Sequence, residues 1–236
     1  EEASKKLKNY LDIFPKGYNR SEALFYMSDC YIQSADNAAA IKTMSELLKH
    51  GNTQYTERVL SVIAPMCYEQ KMYEESATYY RRLYDAASKE SLRQQASEGY
   101  VDATMRYGDG AAIKAMADDV MSMADATPWA LRYSALQKAN ILREEGSGAE
   151  AAKLYTKLSE ERKSAEGAEA YYWLIKQSYD AGDYAAAEQM VYDFGESRII
   201  SFRHVPPTRV LSMATRPRMT VLSRRHNNVS RHFNNF

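Results

Sequence analysis

The run Gly146-Ser147-Gly148-Ala149-Glu150-Ala151 is the nearest this sequence comes to a nucleotide cradle. A glycine motif of that kind works when a strand leads into it and a helix N-terminus receives the phosphates. Residues 136–145 lead in here, and their apolar spacing is helical, so the strand is missing. Neither Gly-x-x-x-x-Gly-Lys, His-Glu-x-x-His nor Gly-x-Ser-x-Gly occurs, which leaves phosphate cradling, zinc proteolysis and elbow-serine hydrolysis without their parts. Cys30 and Cys67 form no Cys-x-x-Cys pair and are too few for a disulfide framework. They read as small apolar packing groups. The acid pairs Glu74-Glu75, Asp118-Asp119 and Glu160-Glu161 sit next to each other in sequence. Adjacent helix residues point about 100 degrees apart, so the pairs read as solvated faces and not as converging acid–base groups. His50, beside Gly51, reads as a solvated helix end. The expectation is a chain that is not an enzyme, with no catalytic residues, no metal ligands and no cofactor.

What remains chemically distinctive is tyrosine, 19 residues against six phenylalanines. Tyrosine packs its ring while leaving a hydroxyl for a partner, the habit of groove walls and interfaces. Tyr31, Tyr80 and Tyr155 read instead as fillers of helix crossings. The chain has 236 residues, 45% of them hydrophobic, with a mean hydropathy of −0.58. That suffices for a sizeable interior, and no apolar run reaches the roughly 20 residues of a membrane span.

The elements that must position these side chains show themselves as a repeat. A small residue followed four places later by a larger apolar one recurs as Ala3 with Leu7, Ala40 with Met44, Ser76 with Tyr80, Ala112 with Met116, Ala151 with Tyr155 and Ala187 with Val191, at offsets of 37, 36, 36, 39 and 36. Five of the six continue at the next helical step in Tyr10, Leu47, Leu83, Leu158 and Phe194, and Val120 comes one place late. This spacing marks one face of a helix. Twelve residues upstream, Ser28, Ala64 and Ala139 mark an earlier helix in three of the units. Gly108-Asp109-Gly110, Gly146-Ser147-Gly148 and Gly182-Asp183 separate the two, with glycine permitting the left-handed geometry that ends a helix. Thr127-Pro128 opens a helix with a cap and a first-turn proline. Each unit is a helical hairpin, too small to bury enough apolar surface alone, so such units are expected to stack.

Residues 171–175, together with Tyr179-Asp180-Ala181-Gly182-Asp183-Tyr184-Ala185-Ala186-Ala187, resemble the tetratricopeptide repeat, and Phe14-Pro15 is similar to that family's closing proline. The likeness covers about residues 2–196 as one trailing helix plus five hairpins, and departs from the pattern at Gly99-Tyr100. The period near 36, with Phe14-Pro15-Lys16-Gly17-Tyr18 between units, is similar to tetratricopeptide proteins of Gram-negative cell envelopes. The resemblance implies an all-α chain, an α-solenoid of stacked antiparallel hairpins over 1–196. Its implied function is a protein–protein interaction scaffold that holds a peptide or partner protein on the concave face of the superhelix. It puts Phe25, Asp29, Tyr68, Tyr133, Asn140, Arg143, Tyr172 and Lys176 toward that face as partner-binding positions.

The zero net charge conceals two compositions. Residues 197–236 hold eight arginines with no lysine, aspartate or glutamate, while residues 1–196 carry 23 basic against 31 acidic groups. Three histidines and three prolines also lie in the basic tail. Three readings of it stand: a mostly irregular, disordered extension; a segment that binds nucleic acid or an anionic surface by counterion release; or a slipped reading frame, since repeat and composition break at one place. The start at Glu1, inside what reads as a second helix, suggests a piece of a longer array with apolar ends prone to association.

Overall fold

A computed structural model describes residues 2–49 and 51–199, those from 195 onward by backbone alone. The readings placed on His50 and on the run beyond 199 lie outside the described residues. The described residues are all-α, without a strand: α1 Glu2–Ile13, α2 Arg20–Gln33, α3 Asn37–Lys49, α4 Thr56–Glu69, α5 Tyr73–Ala86, α6 Glu90–Tyr107, α7 Gly110–Ser122, α8 Pro128–Glu144, α9 Gly148–Ser159, α10 Ala165–Asp180 and α11 Tyr184–Ile199. The chain divides into two compact units, 1–170 and 171–236. In the first, each helix from α1 to α9 packs on the next, and α6 also touches α4 and α8. In the second, Tyr171 of α10 stacks on Phe194 of α11, with ring centroids 5.5 Å apart.

Most small residues of the repeat sit where helices cross, whereas Ala3 is exposed and Ala112 half-buried. Ser28, Ala40, Ala64, Ser76, Ala139 and Ala151 are all buried, which lets backbones approach while Met44, Leu47, Leu83, Met116, Val120 and Leu158 fill the flanks. At the α4–α5 crossing the approach is close enough for the Ser76 hydroxyl to donate to the Ala64 carbonyl at 2.8 Å. The Gly99 irregularity has a partner as well. A Cβ there would meet the Tyr80 ring at 2.5 Å, so the glycine is the seat for the ring of α5, and α5 and α6 share the most extensive interface of the first unit.

Four of the hairpin turns are built alike. Ala35, Lys71, Gly146 and Gly182 each take positive φ, at 56, 62, 85 and 81 degrees. After each, the next amide reaches back to a helix carbonyl: Asp36 to Tyr31, Met72 to Cys67, Ser147 to Leu142 and Asp183 to Ser178, at 2.8–3.0 Å. This is the Schellman closure, which satisfies carbonyls that a helix end leaves open. The α6–α7 turn corrects the expectation for its glycine. Gly108 is extended, with φ −71, and a Cβ there would meet the Thr104 carbonyl at 2.8 Å, so close backbone approach, not left-handed geometry, requires it. Asp109 then caps α7 through the Ala112 amide at 2.9 Å. Thr127 caps α8 through Ala130 at 3.2 Å, with Pro128 in the first turn as its sequence indicates.

Two stability predictions come from this geometry. A non-glycine residue in the left-handed region costs about 1 kcal/mol, so Lys71→Gly should stabilise the fold by about 0.5–1 kcal/mol and Gly146→Ala should destabilise it by about 1 kcal/mol. Thermal melts followed by circular dichroism should move in opposite directions for the two, and shifts of the same sign contradict the shared turn. Gly99→Ala forces the Tyr80 ring from its seat and should cost about 1–3 kcal/mol; a melt within 1 °C of the parent would remove the proposed seat.

Candidate functional site

Because α6 touches both α4 and α8, side chains on the first helices of three successive hairpins come together. Arg106 near the end of α6 donates from Nε to the Tyr68 hydroxyl of α4 at 3.3 Å. Tyr68 also meets Tyr73 edge-on, with centroids 5.2 Å apart. On α8, Tyr133 stacks on Trp129 at 5.2 Å with their planes 18 degrees apart, one helical turn away. Asp102, one turn before Arg106 on α6, is the charge common to both tyrosines. Burial raises the Tyr68 hydroxyl above its ordinary pKa, the Arg106 hydrogen bond lowers it, and Asp102 raises it again. Burial likewise raises Tyr133, followed by Asp102, Glu169 and Glu166. The arrangement is a row of half-buried rings interleaved with a cation and carboxylates, suited to gripping a chain by several contacts.

The positions expected to face a partner divide into three groups. Tyr68 and Tyr133 share the row just described. Phe25 is buried, 5% exposed, stacked on Tyr55 at 4.5 Å and covered by the Arg58 guanidinium at 4.9 Å. It belongs to the interior because its ring fills the space between α2 and the start of α4. Asp29 pairs with the same Arg58 at 3.7 Å. Asn140 and Arg143 are drawn to the second helix of their own hairpin: the Tyr155 hydroxyl donates to Asn140 Oδ1 at 2.7 Å and accepts from Arg143 Nε at 3.3 Å. These contacts lock α8 onto α9. In the second unit, Tyr172 meets Trp173 edge-on at 5.4 Å, and Lys176 pairs with Asp180 one turn on at 2.7 Å.

Sequence reasoning passed over Asp102, Arg106 and Trp129. Arg106 lies 38 residues beyond Tyr68, and the same separation joins Arg81 to Asp119. That spacing, slightly longer than the repeat, was the available signal. Asp118 and Asp119 diverge, as adjacent helix positions must, to Lys138 and Arg81; Glu160 and Glu161 lie in the turn past α9, where Glu161 pairs with Arg132 at 2.8 Å, while Glu74 and Glu75 face one groove. Cys67 is fully buried; burial, then Glu75, pushes its thiol up to about 11, so it stays protonated and unreactive at neutral pH. Away from the first-helix row, Glu74, Glu75, Thr78, Tyr79 and Arg82 of α5 line a groove of about 460 Å³. Among the described residues no three His, Cys, Asp or Glu side chains are grouped to hold a metal ion, and no helix is long and apolar enough to cross a membrane.

The tyrosines make stability sensitive to alkali. Burial leads the causes that raise Tyr68, Tyr80, Tyr100, Tyr133 and Tyr155, Tyr100 to about 12. An unfolded chain ionises tyrosine near pH 10. Above that pH the folded state keeps protons the unfolded state releases, so the contribution, complete below about pH 10, is lost as the pH climbs toward 12. Urea midpoints should hold from pH 8 to 9.5 and fall between pH 10 and 11.5; a midpoint that rises there contradicts the burial of these hydroxyls.

No protein-family model matches this sequence, and no curated protein does.

Proposed function

We propose that the chain is a non-enzymatic binding scaffold of the tetratricopeptide kind, an α-solenoid whose first-helix face holds a peptide or a segment of a partner protein. The observation that carries this reading is the group Tyr68, Arg106, Asp102 and Tyr133 on α4, α6 and α8, in which Arg106 donates to the Tyr68 hydroxyl and the charges of Asp102 and Arg106 both act on Tyr133. Tyrosine supplies contact area at a low cost in side-chain entropy, and a planar guanidinium adds directed donors; both are enriched where interfaces concentrate their energy. Three hairpins contribute to one row, so the grip is spread over shallow contacts whose spacing is set by how the helices stack. Additional support comes from four equivalent hairpin turns and from the buried small residues at the crossings.

The test is capture by the full chain and by a Tyr68→Ala, Arg106→Ala, Tyr133→Ala variant, with Arg82→Ala on α5 as the control. Two or three contacts worth about 1–2 kcal/mol each amount to at least about 30-fold in affinity. The triple variant should lose the partner by that factor while keeping its helical spectrum, and the control should retain it. Undiminished capture by the triple variant discards this face.

A further inference from the structure

Two of the four Schellman turns carry the same pair of tyrosines, one three residues before the left-handed position and one two residues after it. At Lys71 the pair is Tyr68 and Tyr73, edge-on with centroids 5.2 Å apart and planes at 71 degrees. At Gly182 it is Tyr179 and Tyr184, at 5.1 Å and 67 degrees. The first pair is half-buried, and an arginine from outside the hairpin, Arg106 of α6, donates to its Tyr68 hydroxyl at 3.3 Å. The second pair is 60% and 62% exposed. It stands among acids: residues 171–196 carry five acidic side chains and one lysine, and that lysine, Lys176, pairs with Asp180 at 2.7 Å. An aromatic pair that keeps an arginine at one turn is thus repeated at another with its surface open and its surroundings negative.

We propose that Tyr179 and Tyr184 form a seat for an arginine of the chain's own C-terminal stretch, Arg209, Arg216 or Arg218. An arginine stem covers exposed ring surface while its guanidinium stays at the rim and donates to a phenol oxygen, as Arg106 does to Tyr68. Residues 200–236 supply seven arginines and no acidic residue, so their charge complements that of 171–196. The seat is also within reach. α11 starts at Tyr184 and ends at Ile199, a length of about 24 Å at 1.5 Å per residue, which roughly eight residues of extended chain span. Arg209 is the first arginine beyond that distance. Tethering favours a contact that a free peptide would make too weakly to keep. The inference concerns the second unit alone and does not depend on the scaffold reading.

The experiment uses the full chain with Ala181→p-benzoylphenylalanine, an exposed position in the turn between the two tyrosines. A dilute sample is irradiated and adducts are located by mass spectrometry. The expected result is an adduct within one chain onto the stretch that holds Arg209, Arg216 and Arg218. Its yield should fall at least about 5-fold when Tyr179 and Tyr184 both become Ala, and by as much in an Arg209→Gln, Arg216→Gln, Arg218→Gln chain. Tyr179→Phe keeps the ring and removes the acceptor, so it should lower the yield by a smaller factor, and it replaces the double variant if circular dichroism shows that the latter has lost helix. Adducts outside residues 200–236, adducts between chains in their place, or a yield indifferent to the arginine changes overturn the proposal.

Discussion

The close crossing of paired helices is the constraint on which everything else in the first unit depends. Backbones come near enough at Ala64 and Ser76 for a side-chain hydroxyl of one helix to reach a carbonyl of the other. Any larger residue at either position would push the helices apart and open the flanks now filled by Leu83 and Cys67. The same condition holds at Ser28 with Ala40 and at Ala139 with Ala151, all buried. A fixed crossing, together with a fixed turn, makes the direction of each second helix a consequence of the first.

Polar links then join neighbouring hairpins and close individual ones. Ser45 meets Tyr79, Arg82 reaches the Leu48 carbonyl, Glu57 accepts from the Ser88 amide, and Arg93 pairs with Asp125, across separations of 31–34 residues. The first two tie α5 to α3 of the preceding hairpin, and the last two tie the start of a hairpin's first helix, α4 or α6, to the loop that follows its second. Most are partly exposed and individually worth little. Their effect is to choose one register of stacking among several that apolar packing alone would tolerate. The row of Tyr68, Arg106, Asp102 and Tyr133 exists only in that register, since its members come from three hairpins.

α4 shows how packing overrides local preference. Pro65 lies inside it, where it removes a helix hydrogen bond and crowds the preceding turn. The helix runs through nonetheless, because Ile63, Ala64 and Cys67 on either side are fully buried and ending it early would expose them. Lys71 and Ala35 accept left-handed backbone for a comparable reason: the turn is set by where the second helix must go, and the residue accommodates it.

The order of the helices, most of the buried small residues and the capping of α8 by Thr127 could be read from the chain, because each depends on residues within a turn or two of one another and on a period that repeats; Ala3 and Ala112 carry the same spacing and are not buried, and α6 packs more extensively on α5 than on α7. Tyr155 could be assigned to a crossing, and the divergence of Asp118 from Asp119 followed from helix geometry. The site was less legible. Phe25 and Tyr68 carry similar sequence signals, yet one lies under Arg58 in the interior and the other on a shared face, since a helix has two inward directions, toward its hairpin partner and toward the next unit. Whether Arg143 or Arg106 stands beside the tyrosines was decided by the rotation of α6 and α8 against their neighbours. Sequence fixes the side chains and their order along each helix; only three-dimensional packing sets that rotation, because it is the sum of many contacts between residues far apart in the chain.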